Sequence, residues 1–364
     1  MNDVALKVLK KISDSGYEAY LVGGYPRDFY MGKDTSDYDI CTNATPKDIK
    51  EIFSNSILKR EQYGSVTIYF DDVRFEITTF RKDIKYFNNR KPIEIEYVDS
   101  LLEDLKRRDF TMNTMCIDYK GNLIDILNGR NDINNKIIKT VGDPYKKIEE
   151  DSLRILRAIR FATVLDFELD AELIVAIKRY KYLLKNLSYY RKKEELDKIF
   201  SSQNCNKGID LIIKLELDIE LEIPNIRNIV PTKYLDGIWA QLDVLEKYTF
   251  NSTQKDTILK IKELMSLNVL NPNNIYKYGL YISTIVAEIK NIDIQVVNEI
   301  YNSLQIYNRD EIKISAMEIC ETLNKAPGKH IKEIYNDLEF KIINNYILND
   351  KETIKKYIKE NYMD

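Results

Sequence analysis

The period of the hydrophobic pattern changes once along this chain, and that change constrains the fold more than any other feature. Up to about residue 140, short β-rich runs alternate with helical stretches: 18–23, 37–41, 64–70, 73–80, 93–98 and 114–118 read as strands. The runs at 64–70 and 73–80 are joined by Asp71-Asp72, a tight-hairpin signal. After Gly142-Asp143-Pro144 the strand signals stop, and apolar residues recur at helical spacing, as in Leu153, Leu156, Ile159 and Phe161. Pro224, Pro231, Pro272 and Pro327-Gly328 divide the remainder into helices of moderate length. The expected fold is therefore α+β: a mixed-sheet head over 1–140, followed by an all-helical remainder.

Composition removes several chemistries. A single histidine, His330, excludes a histidine-based catalytic triad, an HExxH zinc site and a His-rich phosphohydrolase centre. Cys41, Cys116, Cys205 and Cys320 are far apart with no CxxC pair, which argues against a zinc site or a disulfide framework. Catalysis must rest on carboxylates, Arg, Lys and bound metal. The net charge of −3 disfavours indiscriminate coating of nucleic acid, yet 55 Lys and Arg residues suffice for a local RNA surface. No apolar run approaches the roughly 20 residues of a membrane-spanning helix, and residues 1–16 form an amphipathic pattern without a signal core, so a cytoplasmic location is expected.

The chemistry concentrates in residues 21–40, LVGGYPRDFYMGKDTSDYDI. A strand runs into Gly23-Gly24 and a helix is expected to open near Pro26, whose missing N–H suits a first helical position. Such a turn lets a polyphosphate approach backbone N–H groups, and Arg27 lies within reach of the same phosphates. Asp37 and Asp39, two apart on a strand, point to one face. Adjacent carboxylates repel unless a cation lies between them, and such a pair can hold two Mg²⁺ ions, one at an attacking hydroxyl and one at a triphosphate. Alone, a DxD strand is more often a solvated edge; the glycine turn upstream reverses that reading. Glu76, alternating with apolar neighbours in VRFEITTF, is a candidate third carboxylate.

GG-x-x-RD and DxD are followed in order by RRDFTMN at 107–113 and EEDSLRILRAIRFA at 149–162. Together these motifs resemble the class II CCA-adding tRNA nucleotidyltransferase and bacterial poly(A) polymerase family. Residues 79–98 are similar to its flexible loop, 101–118 and 125–144 to its sheet end and the approach to its neck, and 314–358 to the tail helices of Gram-positive members. The resemblance implies a polymerase-β-like head over 1–140, nucleobase-recognising neck helices over 141–200, and a tRNA-binding body and tail over 201–364. It implies that Asp37 and Asp39 bind Mg²⁺, and that Gly24, Arg27, Arg108, Asp151, Arg154, Arg157 and Arg160 contact the nucleotide. Asp151, Arg154 and Arg157 are three apart, so neighbouring pairs would share one helix face. A carboxylate accepts from the exocyclic amino group of cytosine or adenine, while a guanidinium donates to their ring acceptors. Uracil and guanine would set oxygen against oxygen, at a cost of roughly 1–3 kcal/mol.

Two departures from the family pattern stand out. Tyr190 precedes Arg191 where an acidic residue is usual, which puts a helix-capping role there in doubt, and Pro26 replaces an aliphatic residue. The expected activity is template-independent addition of C, C and A to the tRNA 3′ end from CTP and ATP. Poly(A) polymerases and enzymes adding C alone or A alone share the head motifs; the absence of a long basic tail and the helices at 314–358 favour CCA addition. An inactive RNA-binding paralogue would have lost Asp37 or Asp39, and both are present.

Overall fold

The structure is a computed structural model that describes residues 3–54, 56–60, 64–87 and 91–363. The chain forms two compact units, Met1–Pro224 and Asn225–Asp364. The sequence segments expected as head and neck thus lie in one unit, together with two further helices.

The first unit is built on a seven-stranded sheet of order β3-β4-β5-β2-β1-β8-β9. Its strands are β1 (Ala19–Val22), β2 (Tyr38–Thr42), β3 (Ser56–Arg60), β4 (Ser65–Phe70), β5 (Val73–Thr79), β8 (Cys116–Ile117) and β9 (Leu123–Ile124). β2 and β5 run parallel, while β1 pairs antiparallel with both β2 and β8. Asp71 and Asp72 both take positive φ, 48° and 61°, and turn β4 into β5 as expected of a tight hairpin. One sheet face, with Leu21, Tyr38, Ile40, Phe75 and Ile77, packs on Ala5, Val8, Leu9 and Ile12 of α1 (Asp3–Asp14). On the other face Val22, Cys41, Phe80, Leu105 and Cys116 make a smaller core. β6 (Arg81–Phe87) and β7 (Lys91–Tyr97) form a separate antiparallel ribbon from the segment expected to be a flexible loop, whose residues 88–90 lie outside the described residues.

α2 (Gly24–Tyr30), α3 (Pro46–Ile52), α4 (Leu101–Lys106) and α5 (Gly129–Asn134) link these strands. α6 (Pro144–Glu150), α7 (Leu153–Leu165), α8 (Ala171–Tyr180), α9 (Tyr189–Phe200), α10 (Cys205–Lys214) and α11 (Leu217–Leu221) complete the unit. Strands do not stop at residue 142 as expected: β10 (Ile137–Ile138) pairs in parallel with β11 (Glu168–Leu169), two residues each and too short to show a period. The doubt over capping before Arg191 is answered by Ser188, whose side chain accepts from the Arg191 N–H and caps α9, while Tyr190 is exposed.

The second unit is helical: α12 (Leu235–Leu242), α13 (Ser252–Met265), α14 (Pro272–Ile289), α15 (Ile294–Ser303), α16 (Ala316–Leu323), α17 (His330–Ile343) and α18 (Lys351–Tyr362). Asn251, Asn271, Asp293, Ser315 and Asp350 cap five of them through their side chains. Its core gathers Ile275, Val297, Ile306, Ile319, Leu338, Ile342, Ile354 and Ile358. Among the described residues no helix is long and apolar enough to cross a membrane, and the four cysteines are free.

Candidate active site

β1 ends at Val22, and Gly23 turns the chain straight into α2 with φ 81° and ψ −126°, a conformation suited to glycine. A Cβ on Gly23 would stand 3.5 Å from Asp39 Oδ2, so the turn and the acidic pair lie side by side. Pro26 is the third residue of α2 rather than the first, because Gly23 lets the helix open at Gly24; its missing N–H still falls in the first turn, where amides lack intrahelical acceptors.

Asp39 lies opposite Val22 on β1 and Glu76 on β5. Its neighbours Tyr38 and Ile40 are buried in the α1-side core, which turns Asp39 to the other face. Burial, with Asp37 and Glu76 nearby, pushes the Asp39 carboxyl up to about 6. Such a site is short of positive charge, and the oxygen ligands fit a hard divalent cation. Glu76 ion-pairs with Arg74 at 3.4 Å and does not line the cavity beside the aspartates. Among the described residues no three His, Cys, Asp or Glu side chains form a cluster able to hold a metal.

That cavity, of about 480 Å³, is lined by Gly23, Gly24, Arg27, Asp28, Thr35, Asp37, Asp39, Arg81, Arg107, Arg108, Asp109, Asn113, Asp151, Arg154, Arg157, Arg160 and Phe161. Every residue expected at the site except Glu76 is therefore on one wall or another. Its chemistry is that of an anion cradle, with arginines fixed by acids behind them. Arg27, buried, donates to both oxygens of Asp28 at 2.8 and 2.9 Å and to Asn113 Oδ1 at 2.7 Å. Arg107 and Arg108 share the buried Asp104 carboxylate at 2.8 and 2.9 Å. Arg108 Nε is buried without a hydrogen-bond partner, a donor left for a ligand. Arg157 donates to Asp109 at 2.7 Å, and Arg160 ion-pairs with Glu195 at 2.7 Å. Burial opposes ionisation of Asp109, but Arg157, Asn113 and the Phe110 N–H overcome it and hold the carboxyl down at about 2.

The neck differs from expectation. Asp151 does not share a helix face with Arg154 and Arg157: α6 ends at Glu150, Asp151 is extended (φ −144°, ψ 101°), and α7 starts at Leu153. The break persists because Arg154 satisfies the end of α6, donating to the Lys147 carbonyl at 2.6 Å and to Glu150 at 2.7 Å, and reaches the Arg107 carbonyl at 3.2 Å. One Asp151 oxygen accepts from the Leu153 N–H at 3.0 Å. Burial raises its pKa against the opposing charge of Arg154. Phe161 presents its ring to three guanidiniums, Arg160 at 4.1 Å, Arg27 at 5.3 Å and Arg157 at 5.5 Å, which lets like charges crowd one wall. Sequence reasoning missed Asp28, Asp104, Asp109, Asn113 and Phe161. Asp28, Asp109 and Asn113 stand inside the quoted motifs, where an acid or amide beside arginines was the available signal.

Comparison with known proteins agrees with this architecture. The Poly A polymerase head domain family matches residues 19–139, a probable RNA and SrmB-binding site of polymerase A matches 166–219, and a putative tRNA nucleotidyltransferase domain 2 matches 241–358. The CCA-adding enzyme of Ligilactobacillus salivarius is 33% identical, over 98% of this chain and 96% of its own. That of Bacillus pumilus is 30% identical, over 97% and 96%. The solved CCA-adding enzyme of Bacillus stearothermophilus in complex with CTP superposes with a TM-score of 0.84 at 27% identity, over 98% of this chain and 96% of that one. By these likenesses over nearly its whole length, the chain belongs to the CCA-adding enzyme family of tRNA nucleotidyltransferases.

Proposed function

We propose that the chain adds C, C and A to the 3′ end of tRNA from CTP and ATP, with its own side chains in place of a template, at the cavity between Asp37-Asp39 and Asp151. The observation that carries the reading is the pairing, in one cavity, of the neighbouring Asp37 and Asp39 carboxylates with a wall of braced arginines. The RNA 3′ oxygen forms a bond to the α-phosphorus, the bond from that phosphorus to the β-phosphate oxygen breaks, pyrophosphate leaves, and the hydroxyl proton passes to solvent. Asp37 and Asp39 hold divalent metal, Mg²⁺ in this reading. When bound, it supplies Lewis-acid activation of the hydroxyl and neutralises the triphosphate. Gly24 leaves the α2 backbone open to phosphate oxygens. Arg27, Arg157 and Arg160 bind the triphosphate as fixed cations, already oriented by Asp28, Asp109 and Glu195. Glu76 acts through its charge on Asp39 rather than as a ligand.

Base choice rests on Asp151, Arg154 and Arg108. The Asp151 oxygen not engaged by the Leu153 N–H accepts from the amino group of cytosine or adenine. The guanidiniums donate to ring acceptors, and the helical body grips the tRNA acceptor arm by phosphates and shape. The test incubates the protein with Mg²⁺, the four NTPs singly and together, and tRNA transcripts ending one, two or three nucleotides short. C, C, A and then a stop is expected; a ladder of A would make the enzyme a poly(A) polymerase, and a single A an A-adding enzyme. In the same assay Asp151→Ala incorporates UTP and GTP at rates approaching CTP; unchanged selectivity would refute the base-reading role.

A further inference from the structure

The first unit carries an aromatic and basic cluster that the reaction does not use. α6, the end of α8 and the 3₁₀ turn that follows it (Lys181–Asn186) bring together Tyr145, Arg179, Tyr180 and Tyr182. The Tyr145 and Tyr180 rings lie 6.4 Å apart at 71°, and Tyr180 and Tyr182 lie 6.3 Å apart at 42°. The Arg179 guanidinium sits over both Tyr145, at 5.8 Å, and Tyr180, at 5.6 Å. These groups are not core: Arg179 is exposed, and Tyr182 is 54% exposed.

Charge identifies the partner. The run from Lys178 to Lys185, KRYKYLLK, contains no acidic residue. Lys181 and Lys185 are paired with Glu216 and Glu220, and Lys147 is buried against the Lys106 carbonyl. Lys146 and Lys178, in contrast, are exposed and have no carboxylate within ion-pair reach among the described residues. The exposed Tyr182 ring and the half-buried Tyr145 and Tyr180 rings, the last two under the Arg179 guanidinium, offer aromatic surface to nucleobases, and the ammonium groups of Lys146 and Lys178, close by in sequence, suit phosphates. A duplex hides its base faces and would use only the charges, so the rings point to unpaired nucleotides.

Position narrows the choice further. Tyr145 lies on α6 about 8 Å of helix before its last residue, Glu150, which adjoins Asp151, roughly the span of two stacked nucleotides. We propose that Tyr145, Arg179, Tyr180 and Tyr182 form a stacking platform for the unpaired 3′ nucleotides of the RNA on their way to the cavity. The proposal rests on the RNA-extending reading above and adds a mode of contact. The likeness of 166–219 to an RNA-binding segment covers α8 but not Tyr145, and it specifies no residue.

The test is steady-state addition by the full chain to a tRNA transcript lacking its last three nucleotides, with Tyr182→Ala, Arg179→Ala and Tyr182→Phe. Loss of one stacking plane raises KM for RNA roughly 5- to 100-fold. The kcat and the KM for CTP stay within twofold, and Tyr182→Phe, which keeps the ring, stays near wild type. Anisotropy binding supplies a second readout: both alanine variants lose affinity for a hairpin with a two-nucleotide 3′ overhang but not for its blunt counterpart. A KM for RNA within twofold of wild type in the Tyr182→Ala/Arg179→Ala double variant would overturn the proposal and leave the patch to a protein partner. Equal loss on the blunt hairpin would overturn it in favour of a phosphate grip. Wild-type protein that extends no RNA would remove the underlying reading, whereas normal wild-type extension with unaffected variants removes the platform alone.

Discussion

Asp39 and Asp109 are both half-buried carboxylates of the same cavity, and their surroundings push them in opposite directions. Asp39 is held at about 6, above its ordinary 3.8, by burial, Asp37 and Glu76. A folded pKa above the unfolded one contributes stability that is complete below about 4 and is lost as pH rises through 6. Metal-free protein should therefore melt lower at pH 7 than at pH 5 from this site, and Asp39→Asn should recover on the order of 2 kcal/mol at pH 7 in chelator while abolishing nucleotide incorporation. Scanning calorimetry across pH 4–8 checks this; an Asn variant no more stable than wild type at pH 7 would remove the explanation. Asp109 is held at about 2, so its contribution is present above about 4 and lost as pH falls through 2. Asp109→Asn leaves the Arg157 charge facing an amide. It should cost about 2 kcal/mol at neutral pH and flatten the acid limb of the stability curve measured by urea unfolding. At this scale the sequence singled out Asp37 and Asp39, and both line the cavity, although β2 begins at Tyr38 and leaves Asp37 just outside the strand. It hid Asp109, which braces Arg157 of α7 across 48 residues, a contact that no local period announces; Asp104, three and four residues before Arg107 and Arg108, stood at local ion-pair spacing and was passed over.

The junction of α6 and α7 shows where element-level reading runs out. Residues 149–162 have good helical spacing, so a continuous helix was the natural reading, yet Asp151 is extended and the turn is held by side chains. What decides it is Arg154 bonding back to the Lys147 carbonyl, a tertiary choice between two ways of satisfying a helix end. The hairpin at Asp71-Asp72, by contrast, was legible, because turn chemistry there is local. Packing of the helical half turns on small residues. A Cβ on Gly208 of α10 would lie 2.4 Å from Ile199 Cγ2 and 2.7 Å from Thr163 Oγ1. Gly208→Ala must spread α10 from α7 and α9, and an overpacking cost of roughly 1–3 kcal/mol follows. Thermal unfolding should show a lower Tm with nucleotide selectivity unchanged; a Tm within a degree of wild type would mean that the three helices yield freely there.

Each of the two units has its own apolar core, and the chain's single tryptophan, Trp239, lies buried in the second. Tryptophan fluorescence thus reports one unit, while far-ultraviolet dichroism reports both. Seven arginines against five aspartates line the first unit's cavity, and three guanidiniums face one phenyl ring. Such crowding favours any polyanion that enters. Pyrophosphate without metal should raise the dichroism transition by several degrees at saturating concentration and leave the Trp239 transition nearly unmoved. An unshifted dichroism transition would mean that the bracing acids already neutralise the wall. On the proposed function the arginine wall also couples folding to nucleotide supply: a triphosphate that binds the folded chain alone adds to its stability by mass action, so resistance to a protease should rise with CTP or ATP concentration.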